Sequence, residues 1–326
     1  MGPRQLRVTT LGAATADVFL SGAALSAKCD PKRGCYEEFA LGEKLELEQV
    51  TFATGGGATN AAVTFARQGF DTTVLAKVGD DYAGRDIMRS LRAEGIHASR
   101  LAVDIHDSTG YATILLAPGG ERSILVYRGV SEKLKFKDFD FNTLKADWLY
   151  ISSLAGNLEL LEKVLGWAKT KNVKVALDPG SRELARAPQL RKLLGGVTMI
   201  KGNKGELAKL FDSDDAKTVL ARANKTCQYA IVSDGKNGSW ASDSVSVVHA
   251  GMYSNSKVVD RTGAGDAFGS GFVAMIALGK DLRTAASFAS ANATGVVGHI
   301  GAKAGILHQN AQIQQMPIKV SKASKA

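Results

Sequence analysis

The sharpest chemical signal in the chain is the run Asp260-Arg261-Thr262-Gly263-Ala264-Gly265-Asp266, which leads straight into the apolar stretch Ala267-Phe268-Gly269-Ser270-Gly271-Phe272-Val273. An apolar stretch of this kind reads as a helix, and its first N–H groups then lie unsatisfied at Gly263, Ala264 and Gly265. Small residues there let an anion approach the backbone, and the helix dipole favours its negative charge. Asp266 is the anomaly, because a carboxylate beside an anion site repels a phosphate. Its placement suits a base that accepts a proton from an attacking hydroxyl while the N–H groups stabilise a phosphoryl in transfer. The plain alternative is a favourable first-turn acid behind two turn glycines. A dinucleotide fingerprint does not fit, because Phe268 stands where the third glycine of G-x-G-x-x-G belongs.

A second cluster, Gly55-Gly56-Gly57-Ala58-Thr59-Asn60, also opens a helical pattern. Three glycines let a small polar ligand sit against the backbone, and the Asn60 amide both donates and accepts hydrogen bonds to hydroxyls. A strand-to-helix turn with a local asparagine is the alternative. There is no Gly-x4-Gly-Lys-Ser/Thr loop, protein-kinase set, GxSxG elbow or HExxH pair. His97, His106, His249, His299 and His308 show no ligand spacing. Cys29, Cys35 and Cys227 form neither a disulfide framework nor a zinc ribbon; Cys29 and Cys35 are expected to be two unrelated thiols, with a redox pair bracketing a lid turn as the alternative.

The elements that must position these clusters follow from periodicity. Strands are expected at Arg7–Leu11, around Tyr36–Leu41, at Leu45–Phe52 and at Thr73–Val78, with helices at Ala58–Gln68 and Tyr82–Glu94. Tyr111–Ala117 and Arg122–Arg128, separated by Pro118-Gly119-Gly120-Glu121, read as a hairpin. After residue 145 short apolar strands (Trp148–Ser152, Val173–Leu177, Val197–Ile200, Tyr229–Ser233) alternate with helical segments near 157–171, 181–194 and 203–223. That alternation calls for a parallel sheet covered on both faces. A second hairpin (Gly238–Ala241, Val245–His249) precedes helices at about 264–279 and 281–298. The β-rich stretch 18–52 and the hairpin 111–128 read as a small sheet standing off this body, suited to covering a site at the strand ends.

The 326 residues, 45% hydrophobic and 22% charged, allow one large domain or two modest ones and exclude disorder. No apolar run is long enough to span a membrane. The stretch Val8–Ala27 behind Arg4 and Arg7 imitates a leader, but Asp17 and its strand-like alternation favour a cytoplasmic globular chain. The net charge of +9 is diffuse, without the basic stripe that nucleic-acid binding requires.

Taken together, the two glycine clusters, about 200 residues apart, resemble the two signatures of the ribokinase (PfkB) family of carbohydrate and nucleoside kinases. Further family landmarks fall in order: Ala16-Asp17, Val78-Gly79-Asp80-Asp81, Gly119-Gly120-Glu121-Arg122, Asp178-Pro179, Asn203-x-x-Glu206, Ser233-Asp234-Gly235-x-x-Gly238 and Ala291-Asn292-Ala293. The resemblance spans about residues 6–310 and implies an α/β fold, a doubly wound α/β/α sandwich with a small β-sheet lid. It implies a single domain over 1–326, its lid built from about 18–52 and 111–128. By resemblance Asp266 is the catalytic base, and Gly263, Ala264 and Gly265 form the anion hole. Asp17, Gly56, Gly57 and Asn60 hold acceptor hydroxyls. Asn203 and Glu206 serve the phosphates of ATP and the water shell of Mg²⁺, and Ser233, Asp234, Gly235, Gly238 and Asn292 face the nucleotide. Asp260, Thr262 and Gly301 resemble a monovalent-cation (K⁺) loop, although Arg261 departs from it. A homodimer through the lid is a further expectation, since many relatives pair that way.

The first motif also departs from that of ribokinase proper, Ile151-Ser152-Ser153-Leu154 lacks the acidic residue ribokinases carry there, and Lys28–Tyr36 enlarges the lid. The resemblance implies an ATP-dependent sugar kinase with a ribose-like acceptor as the leading choice. A nucleoside kinase is the alternative, with Phe19, Tyr36, Phe39 and Phe52 as candidates for an apolar wall. A catalytically silent binding protein of the same fold is the third reading.

Overall fold

The computed structural model describes residues 4–117, 121–253 and 257–323. Its main sheet explains the apolar strands. In the strand Trp148–Ile151 all four residues are buried, because successive side chains point to opposite, covered faces. Leu149 and Ile151 enter a core shared with the helices Leu158–Thr170, Ala187–Leu193, Lys204–Phe211 and Ala216–Ala223. Trp148 and Tyr150 enter a second core on the other face, shared with Gly57–Arg67, Ala264–Ala277 and Leu282–Val297.

The main sheet runs Asp71–Leu75, Arg7–Leu11, Trp148–Ile151, Lys174–Leu177, Met199–Asn203 and Tyr229–Ser233, all parallel. Ser239–Ser242, Ser246–Ala250 and Ile318–Lys322 extend it antiparallel. The doubly wound sandwich is therefore as expected, with an antiparallel edge. The last of these strands was not foreseen, because four of its five residues are exposed and it carries little apolar signal.

A second sheet orders Arg122–Tyr127, Gly110–Leu116, Thr15–Ser21 and Gln49–Gly55. Thr15–Ser21 follows the central strand Arg7–Leu11 directly, so the leader-like stretch is two strands of the fold. The expected hairpin forms as Gly110–Leu116/Arg122–Tyr127, pairing Leu116 with Arg122 and Tyr111 with Tyr127, while its turn residues Pro118, Gly119 and Gly120 lie outside the described residues.

Five differences have local causes. The expected strand Leu45–Phe52 begins only at Gln49, where pairing with Ser21 starts; Leu45 and Leu47 have no strand partner and stay exposed. Instead of a strand near 36–41, the chain pairs Lys28–Asp30 with Gly34–Tyr36. Pro188 opens its own helix and divides the expected 181–194 helix, and Asp212, at φ 52°, ends the helix begun at Lys204. Finally, Cys29 and Cys35 are not unrelated thiols: they face each other across the Lys28–Tyr36 hairpin and form a disulfide. The reversal at Asp30–Gly34, where the Asp30 carboxylate accepts from the Lys32 and Arg33 amides, brings them together.

Candidate active site

The helix Ala264–Ala277 starts from Gly263, whose φ of 79° and lack of a Cβ are both needed. A methyl group there would lie 2.3 Å from the Ala302 side chain. The turn is anchored by Asp260, which is fully buried. Its carboxylate accepts from the Thr262 amide (2.9 Å), the Thr262 hydroxyl (2.7 Å) and the Gly301 amide (3.0 Å). Through these bonds Asp260, Thr262 and Gly301 make a tie between two loops. Arg261 points outward, 3.5 Å from Glu121 in the small-sheet hairpin.

Asp266 sits in the first turn of that helix. The Asn60 amide donates to its Oδ2 at 2.8 Å. Burial, reinforced by the nearby Asp178 charge, pushes its carboxyl above the usual range, against the opposing pull of Asn60, Lys201 and Lys303. Facing it is the glycine turn. A Cβ on Gly57 would stand 2.8 Å from the Ser152 side chain and 3.4 Å from Asp266 Oδ1. Gly56 has φ 94°, and a Cβ there would meet the Ala13 carbonyl at 2.4 Å. The oxygen of the Asn60 amide is buried without a partner among the described residues, an acceptor beside the Asp266 carboxylate that suits a donor hydroxyl.

Asp17, on the strand Thr15–Ser21, is buried on the same side. The Thr15 hydroxyl donates to it at 2.8 Å. A Cβ on Gly55 would lie 1.9 Å from Asp17 Oδ2, so the first glycine of the triplet makes room for that carboxylate. Burial raises the Asp17 pKa, and the Thr15 hydroxyl and the Lys303 charge oppose the rise.

Asn203 and Ser233 are register partners at the ends of adjacent parallel strands. Asn203 and Glu206 close a capping box: Asn203 Oδ1 accepts from the Glu206 amide at 2.9 Å, and Glu206 Oε2 accepts from the Asn203 amide at 2.8 Å. Asp234, Gly235 and Gly238 form the turn that follows, where a Cβ on Gly238 would lie 2.0 Å from the Ala250 carbonyl. Asn292 is elsewhere. It is fully buried, donating to the Ala267 carbonyl (2.8 Å) and the Thr64 hydroxyl (3.2 Å) and accepting from the Leu307 amide (2.8 Å). With every polar atom engaged by protein, Asn292 ties helices together and does not face a nucleotide.

Three residues were missed as site components. Lys201 is buried, pairs with Asp178 at 2.7 Å, and lies 3.5 Å from where a Gly265 Cβ would be. Burial favours its neutral form, but Asp178 and then Asp266 outweigh that and hold its pKa up. Tyr150 donates to the same Asp178 oxygen at 3.0 Å. A lysine interrupting an apolar strand at its C-terminal end was the available signal for Lys201. Lys303, in the loop after the helix Leu282–Val297, reaches Thr54 Oγ1 at 2.8 Å.

A carboxylate in the first turn of a helix at the strand ends, opposite a glycine turn, is an arrangement able to take a proton from an alcohol that receives a phosphoryl group. Comparison with known proteins makes the class specific. A model described as the pfkB family carbohydrate kinase matches residues 26–309, and the chain belongs to that family of phosphotransferases with an alcohol acceptor. Among curated relatives, ribokinase of Bacillus subtilis is 28% identical over 261 residues, covering 78% of this chain and 85% of its own. Fructokinase of Klebsiella pneumoniae is 31% identical over 237 residues, covering 68% and 76%. The nucleoside kinase of Methanocaldococcus jannaschii, an archaeal member of the ribokinase family, shares the fold at TM-score 0.76 and 21% identity, covering 95% of this chain and 97% of its own. No helix among the described residues is long and apolar enough to cross a membrane.

Proposed function

We propose that this kinase transfers the γ-phosphoryl of ATP to a primary hydroxyl of a small neutral sugar, with ribose as the first candidate. The observation that supports the reading is the Asn60–Asp266 contact, which sets a buried carboxylate and an amide oxygen without a partner among the described residues side by side at the start of a helix. The acceptor hydroxyl gives its proton to Asp266 as its oxygen bonds to the γ-phosphorus, and ADP leaves with the electrons of the broken P–O bond. The amides of Gly263, Ala264 and Gly265 face the charge that develops on the phosphoryl oxygens. Lys201, beside Gly265, adds positive charge there.

Asp17 and the Gly55–Gly57 turn bind the other acceptor hydroxyls. Asn203, Glu206 and the Ser233–Gly238 turn serve the nucleotide. Mg²⁺ would be held mainly by the phosphates and water, with Glu206 as a water-mediated partner, and would supply charge neutralisation to the phosphates. The small sheet is a lid that excludes water from ATP. Supply of ATP favours the cytoplasm as the place of work.

A sugar is favoured over a nucleoside because two of the candidate wall aromatics offer no free ring beside Asp17. Phe52 is 78% exposed and alternates to the face opposite Ala53 and Asp17, while Phe19, on the Asp17 face, is buried among Ile114, Ala53 and Ile300. A coupled ADP-release assay with ribose, fructose, adenosine, inosine and cytidine tests the proposal. Turnover confined to nucleosides refutes the sugar reading, and turnover of none of them supports a silent binding protein.

A further inference from the structure

Lys201 lies on the strand Met199–Asn203, two residues before Asn203, so both side chains leave the same face of the sheet. The helix Ala264–Ala277 packs on that face, where Met199 joins its core. Two glycines four positions apart, Gly265 and Gly269, open one side of the helix to the lysine. A Cβ on Gly269 would stand 2.6 Å from the Tyr150 hydroxyl, 3.3 Å from Lys201 Cδ and 3.4 Å from its Cε, whereas a Cβ on Gly265 would meet Lys201 Nζ at 3.5 Å. The side chain therefore runs along the first turn, its stem at Gly269 and its ammonium at Gly265, and points to the start of the helix. Asp266 belongs to that same turn.

A buried ion pair can serve packing alone, and apolar residues often replace such a pair without loss of stability. Two features argue for more here. Tyr150 and Lys201 donate to one and the same oxygen of Asp178, at 3.0 and 2.7 Å, which fixes the carboxylate and through it the ammonium. Among the described residues no other group accepts from Lys201, so two of its three N–H donors remain for a ligand, and the side chain keeps 9% of its surface exposed. We propose that Lys201 donates to the oxygens of the γ-phosphoryl group as it passes from ATP to the acceptor, and that Asp178 and Tyr150 are positioning residues that aim it there. The inference rests on the kinase reading above and deepens it, by naming the side chain that tells ATP from ADP.

The test is calorimetric binding of ATP and of ADP, each with Mg²⁺ and without acceptor, to the full-length enzyme. Lys201→Met should lower the ratio of ATP to ADP affinity by about 10- to 100-fold, the usual effect of losing a charged hydrogen bond, with ADP affinity near wild type. For the acceptor the wild type uses, kcat should fall by about 10²- to 10³-fold at unchanged acceptor KM, and Lys201→Arg should recover part of both losses. Lys201→Met strands the Asp178 charge, so the double variant with Asp178→Asn, which buries no charge, should show the same loss of ratio in a folded protein. An unchanged ratio in both variants overturns the inference while leaving the kinase reading standing. So does an equal fall of ATP affinity, ADP affinity and melting temperature in every variant, which marks a lysine that only packs. The ratio needs no acceptor and therefore decides the role of Lys201 even where the sugar reading fails. A wild type that binds no ATP overturns the kinase reading and this inference together.

Discussion

Asn60 Nδ2 lies 2.8 Å from Asp266 Oδ2, joining the first turns of two helices whose residues are 206 positions apart. The contact makes one site of two glycine turns, and it orients the carboxylate that the proposed reaction requires as a base.

Replacing Asp266 with Asn keeps the size and removes the base. kcat is expected to fall by about 10²- to 10⁴-fold, with nucleotide binding measured by calorimetry nearly unchanged. Near-normal turnover in this variant would remove Asp266 from its assigned role.

The pH profile should carry the signature of this environment. Asp266 acts as a carboxylate, and burial raises its pKa, so kcat should decline on the acid side at a higher pH than an ordinary aspartate would give. Asn60 stabilises the charged form. Asn60→Ala should therefore move that limb further up in pH as well as weaken acceptor binding. A limb that stays in place, or moves down, contradicts the arrangement.

Asn292→Ala separates a structural from a nucleotide-binding residue. Loss of its bonds to Ala267, Thr64 and Leu307 should destabilise the protein by about 2–4 kcal/mol in denaturant unfolding. Among molecules still folded, ATP KM should match wild type. A stable variant with weak ATP binding would restore the nucleotide role.

The small sheet presents Val50, Phe52, Tyr111, Leu125 and Tyr127 to solvent on the side away from Asp17. A contiguous apolar face of this kind marks an interface, and we infer that a second copy covers it. Sedimentation should give a dimer that Phe52→Glu combined with Leu125→Glu converts to monomer. A monomeric wild type at assay concentrations rejects the pairing.

Much of this was legible because it depends on local pattern. The strand Tyr229–Ser233 and the helices opening at Gly57 and Ala264 follow from apolar spacing and glycine punctuation, and the two motifs pointed to Asp266 and Asn60 before their meeting was visible. What escaped depends on packing between distant segments. Asn292 looks polar and available in sequence, but only the arrival of Leu307 and Thr64 shows that its amide is used up. Lys303 lies in an unremarkable loop, and nothing local announces that its ammonium ends at Thr54. The Cys29–Cys35 bridge required the hairpin register, which two short exposed strands do not declare.

The Gly55–Gly57 turn bears on how acceptor preference is able to diverge. Each of its three missing Cβ atoms would collide with a fixed group: Asp17, the Ala13 carbonyl or Ser152. That wall cannot be retuned by side-chain replacement without dismantling the site. A lineage exploring new acceptors must therefore work from the opposite bank, through the small sheet, while the turn stays blank.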